Sequence, residues 1–126
     1  MTNTRLLVTF SEIIVDSDGD PVGKGEIYWN LKVDGATVSQ RVLGNPYKVG
    51  SGDTITLGQN ITVSKSAGAN LIVSGSISDK DGASKDDEAH FTETLNAANN
   101  WGVGPRIQRL KDRNLDVTLN YIIALV

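Results

Sequence analysis

The chain has 126 residues, a formal net charge of −3 and no cysteine. That length predicts one domain, 1–126, able to bury a proper core. The composition excludes disulfides and thiolate metal sites. The lone histidine, His90, argues against a His-rich metal centre, and the acidic balance argues against general nucleic-acid binding.

No apolar run approaches the ~18 residues that a membrane span needs. The N-terminus shows no basic segment, apolar stretch and small-residue cleavage site in series. The expected product is soluble and cytoplasmic. Export without a cleaved leader, or a trimmed sequence, stands as the alternative.

Arg5 to Val15 reads as the first strand. Leu6, Val8, Phe10 and Ile14 fall on one face, with Glu12 interrupting and a bend expected near Ser11-Glu12. Leu7, Ile13 and Val15 fall on the other. An Asp-rich loop follows. Glu26 to Val33 alternates cleanly, with Ile27, Trp29, Leu31 and Val33 on one face. Asp34-Gly35 is a hairpin signal, and Ala36 to Leu43 is its partner, with Val38 and Val42 inward.

Tyr47 to Val49 reads as a short strand. Thr54 to Leu57 and Asn60 to Ser64 read as two more around Gly58. Leu71 to Ser78 is a further strand, in which Gly75 marks a bulge or a tight contact. Ala89 to Leu95 resumes the extended pattern. Asn96 to Gly104 reads as a turn-rich loop, and Pro105 to Arg113 as a basic stretch with one helical turn. Leu115, Val117, Leu119, Tyr121 and Ile123 then share one face of a last strand. With no convincing amphipathic helix, the pattern predicts an all-β antiparallel β-sandwich of about eight strands; a barrel is the other closed solution.

Nine of the 15 acidic residues gather in two short segments. They are Asp16, Asp18, Asp20 and Glu26, then Asp79, Asp81, Asp86, Asp87 and Glu88. Like charges packed together call for screening or a cation, and a loop-built cage of oxygens suits Ca2+ better than Mg2+. Asp16-Ser17-Asp18-Gly19-Asp20 opens like an EF-hand loop. It then fails: Pro21 stands where that loop needs Gly, Ile27 where it needs Glu, and no helix flanks it. The bland alternative is a pair of solvated turns.

Asp79-x-Asp81-x5-Asp87 resembles the third-loop pattern of the calcium-dependent lipid-binding domains of the C-two family. Asp20-x5-Glu26-x-Tyr28 resembles that family's first-loop pattern. Glu26 stands there for Asp and Ile27 for Pro, and Ala89-His90 follows the last acidic residue in place of an apolar-Gly pair. The resemblance implies a C-two-like or related Greek-key sandwich whose two acidic loops meet at one end. It makes Asp20, Glu26, Asp79, Asp81 and Asp87 metal ligands. Asp16 and Asp18 join them as candidates by position in the first loop.

Three further features carry two readings each. His90 is a surface residue or, with a nucleophile not identified here, a catalytic one. Trp101 plugs the core or stacks on a sugar. Arg106, Arg109, Lys111 and Arg113 form a solvated turn or a patch for phosphate headgroups. The loop tips offer little apolar surface, so lipid contact would rest on calcium bridging. Two bound Ca2+ ions would take the formal charge from −3 to +1.

The expected function is therefore a calcium-binding interaction module, not an enzyme, docking to anionic lipid or a protein partner. A calcium-dependent carbohydrate-binding domain with a glycan ligand is the alternative, as is a metal-independent assembly subunit. The oligomeric state is left open.

Overall fold

Alternating apolar residues and short turns give two stacked antiparallel sheets. The computed structural model describes residues 3–18, 25–80 and 86–126. It places nine strands among them: β1 (Thr4–Asp18), β2 (Gly25–Val33), β3 (Ala36–Arg41), β4 (Tyr47–Val49), β5 (Thr54–Lys65), β6 (Leu71–Asp79), β7 (Asp87–Leu95), β8 (Gly104–Asp112) and β9 (Leu115–Leu125). One sheet runs β5-β1-β9-β8; the other runs β3-β2-β6-β7, with β4 also on β2. The fold is an all-β antiparallel sandwich.

The clean alternation of β2 and β9 sends Ile27, Trp29, Leu31 and Val33 inward from one sheet. Leu115, Val117, Leu119, Tyr121 and Ile123 enter from the other. Phe10 and Tyr121 meet at the centre, ring centroids 5.8 Å apart. Burying this apolar surface is the main force holding the sheets together.

Several expectations are corrected. In β1 the register slips between Phe10 and Glu12 against both neighbours. This bulge reverses the phase, so Ile13 and Val15 join Leu6, Val8 and Phe10 inside, while Ile14 does not. Residues 54–65 are one strand, because Gly58 at φ +77 absorbs the irregularity without ending the ladder. Val42 is 52% exposed, since β3 ends at Arg41. Pro105 to Arg113 holds no helical turn: residues 104–112 form the edge strand β8 on β9.

Gly75 is a tight contact. A Cβ there would run into the Asn30 carbonyl across the β2–β6 ladder. The loop after β7 contains a short 3-10 segment, Ala97–Gly102, closed by reciprocal bonds between Asn96 and Asn99.

Candidate functional site

Strand parity decides which acidic side chains share one end of the sandwich. Asp79 pairs with Ile27 of β2 and with Asp87 of β7, so all three point to the inner side. Asp18 pairs with Leu115, whose side chain is inside. Asp18, Asp79 and Asp87 are only 3%, 4% and 5% exposed, and they are the only buried charged side chains among the described residues. Ionised carboxylates are rarely buried without compensation. Three of them under one rim of the sandwich therefore mark this end out.

Among the described residues, backbone amides and one arginine compensate them. The Gly25 amide donates to Asp18 Oδ2 at 3.2 Å, and the Glu26 amide donates to Asp79 Oδ1 at 3.0 Å. The Asp18 amide donates to Ser51 Oγ at 3.2 Å, tying in the 50–53 turn. Arg113, in the β8–β9 turn, places Nε 2.7 Å from Asp87 Oδ1 and donates from Nη2 to the Asp86 carbonyl. The Asp86 carboxylate accepts from the Tyr28 hydroxyl at 2.8 Å. Burial and then that bond push the Tyr28 phenol up to about 12.

Gly25 occupies the inner position at the start of β2. A Cβ there would lie 2.6 Å from Asp18 Cβ and 3.3 Å from Asp79 Oδ1. The glycine thus lets two carboxylates close in from β1 and β6. The donor set is hard oxygen, which suits Ca2+. Among the described residues, no three acidic or histidine side chains lie close enough together to hold an ion. Asp18 and Asp79 are the two carboxylates that close in on Gly25.

The other candidates lie elsewhere. Asp16 is exposed and accepts from Thr118 Oγ1 at 2.7 Å. Glu26 alternates with the inward Gly25 and Ile27, and so falls on the outer face of β2 beside Lys48. Asp20 and Asp81 lie outside the described residues.

No family model matches this sequence, and no curated protein matches it. Solved structures do. A C2 domain of plant extended synaptotagmin 1 superposes with a TM-score of 0.57 at 8% identity, over 99% of this chain and 95% of that one. Another C2 domain gives 0.54 at 14% identity, over 97% of each chain. The fold is C2-like. Human GIVD cytosolic phospholipase A2 also gives 0.54 at 13% identity, over 98% of this chain but only 17% of that chain's length. The end of β1, the start of β2, the end of β6, the start of β7 and the β8–β9 turn lie together at the carboxylate end.

The remaining features resolve in place. Trp101 is 4% exposed and forms part of the core, so it offers no face to a sugar. Its carbohydrate reading is corrected. Three of the four basic residues are in ion pairs: Arg106 with Glu93, Arg109 with Asp116, and Arg113 with Asp87. His90 is exposed on β7, with Nε2 3.3 Å from Glu88. Sequence reasoning missed Arg113 as a partner of Asp87; nothing in the spacing signals it, since the β8–β9 turn brings it there. Among the described residues, no helix is long and apolar enough to cross a membrane.

Proposed function

We propose that this chain is a C2-like binding module, not an enzyme, that takes up calcium at the carboxylate end and docks there to an anionic surface. The observation that carries this reading is the burial of Asp18, Asp79 and Asp87 under one rim of the sandwich. Asp79 and Asp18 would hold the ion, with Asp87 and the loop residues Asp20 and Asp81 completing the set. A bound Ca2+ supplies positive charge where the chain is acidic, and it can bridge to phosphate or carboxylate groups. The chain's own part is to orient the carboxylates: the Gly25 and Glu26 amides fix Asp18 and Asp79, and Tyr28 fixes Asp86.

The partner is an anionic lipid surface or an acidic protein face, met as a peripheral contact. The module is proposed to comprise the whole of 1–126. Asp16 and Glu26 are left out of the ligand set, because their side chains do not join the inner row.

The test is thermal unfolding in chelator, in millimolar calcium and in millimolar magnesium. Calcium that binds only the folded state adds about 2.7 kcal/mol at a hundredfold excess over Kd. A calcium-specific rise in Tm that disappears in the Asp18→Asn, Asp79→Asn double variant is expected. Sedimentation with phosphatidylserine vesicles should follow the same dependence. An unchanged Tm at millimolar calcium would sink the proposal.

A further inference from the structure

The two long edges of the sandwich are built differently. On one edge Glu93 of β7 accepts from Arg106 Nε and Nη2, from Gln108 and from the Tyr121 hydroxyl, which bridges β7 to the opposite sheet. On the other edge β3 and β5 leave a cleft of about 410 Å3 between the sheets. Small-molecule sites are concavities of roughly 300–1,000 Å3 with an apolar lining and a few placed polar groups.

The deep lining is apolar: Trp29, Ile55 and Leu57 are all buried. Its polar groups are already satisfied. Trp29 Nε1 donates to Ser39 Oγ at 3.0 Å, and the Ser39 hydroxyl donates to Gln59 Oε1 at 2.8 Å. An apolar body can therefore enter without stranding a donor. At the mouth stand Tyr47 and Arg41, the guanidinium 5.3 Å from the ring centroid.

Among the described residues, Arg41 is the only charged one in the lining. Arg106, Arg109 and Arg113 each pair with a carboxylate. Arg41 has no carboxylate partner among the described residues, and its Nε donates to the Asn45 carbonyl. The neighbouring Val42 and Leu43 are 52% and 46% exposed, which continues the apolar character along the rim. A planar cation at the mouth of an apolar slot complements a carboxylate on an apolar body.

We propose that the β3–β5 cleft binds a small amphiphilic carboxylate, its apolar body against Trp29 and Leu57 and its carboxylate on Arg41. This site is separate from the carboxylate end and does not depend on calcium.

The experiment is an NMR titration of the intact chain, in chelator, with octanoate and with octanol as the uncharged counterpart. Octanoate is expected to give saturable shifts at the Trp29 indole N–H and at amides of β3 and β5, leaving the Trp101 indole N–H in place. Arg41→Gln should weaken octanoate about tenfold and abolish its advantage over octanol. The variant's spectrum before titration shows whether it is folded. The proposal is overturned by shifts that map elsewhere, by no saturation at millimolar octanoate, or by equal affinity in Arg41→Gln.

Discussion

Arg113 Nε sits 2.7 Å from Asp87 Oδ1, so a half-exposed arginine neutralises a carboxylate that is nearly fully buried. The pair joins the β8–β9 turn to the start of β7, and Glu88 strengthens the junction by donating its amide to Asp112 Oδ2 at 2.7 Å. Removing the arginine leaves a buried negative charge. Arg113→Ala should cost about 1–2 kcal/mol in chelator, less than a fully buried pair because one partner faces water. Under the calcium reading, the loss should shrink in millimolar calcium, since a cation then compensates Asp87. Urea unfolding in both buffers checks this, and equal midpoints for variant and parent in chelator would contradict it.

Gly25 is held to glycine by space, not by backbone angle. A Cβ would meet Asp18 Cβ at 2.6 Å. Overpacking of this kind costs about 1–3 kcal/mol. Gly25→Ala should therefore lower stability and weaken the calcium response together. Adding Asp18→Gly removes the obstructing Cβ, so the two changes should be less than additive in stability. Additive losses in a double-mutant cycle would show that the two positions do not compete for the same space.

How far the sequence foretold this varies by strand. β2 and β9 were legible because each buries one face and leaves the other wet, which writes period two into the chain. β8 was not, because it is an edge strand that buries only Leu110 and exposes Ile107 to 70%. In β1 a bend was visible at Ser11-Glu12, yet its effect on phase was not, since a bulge is set by the partner's register. At the carboxylate end, the acidic spacing put Asp18, Asp79 and Asp87 in loops, whereas they end β1, end β6 and open β7, because the ladders run on past the apolar residues that mark a strand in sequence. The outward turn of Glu26 follows from the same alternation that sends Ile27 inward, and it conflicts with the ligand role that the loop resemblance implied. The β3–β5 cleft left no sequence signal, because it depends on how the edge strands of the two sheets face each other across the sandwich.

Glu93 anchors the closed edge, and its chemistry predicts an acid limb. The hydrogen bonds from Arg106 hold its carboxyl below the usual range against the opposing effect of burial. A carboxylate depressed in the folded state adds stability above its unfolded pKa. That stability is lost as the pH falls through the folded value. Glu93→Gln should thus flatten the fall in Tm on acidification below about pH 4.5. At neutral pH it should cost about 1 kcal/mol, since the bridge is partly solvated. Parallel acid limbs in parent and variant would exclude Glu93 as their source.

Tyr28 predicts the alkaline side at the carboxylate end. Its phenol is pushed up from 10.0 to about 12, first by burial and then by its bond to Asp86. A raised folded pKa means that the folded state keeps a proton the unfolded chain gives up. The stabilisation is complete below pH 10 and fades as the pH rises towards 12. Tyr28→Phe cannot ionise, so its Tm should fall less steeply across that window. At neutral pH it should lose about 0.5–1.5 kcal/mol with the hydrogen bond to Asp86. Tyrosinate absorbance during alkaline titration should show the parent's late-ionising phenol diminished in the variant. If the two Tm profiles run parallel from pH 10 to 12, Tyr28 is not the group that links this rim to alkaline stability.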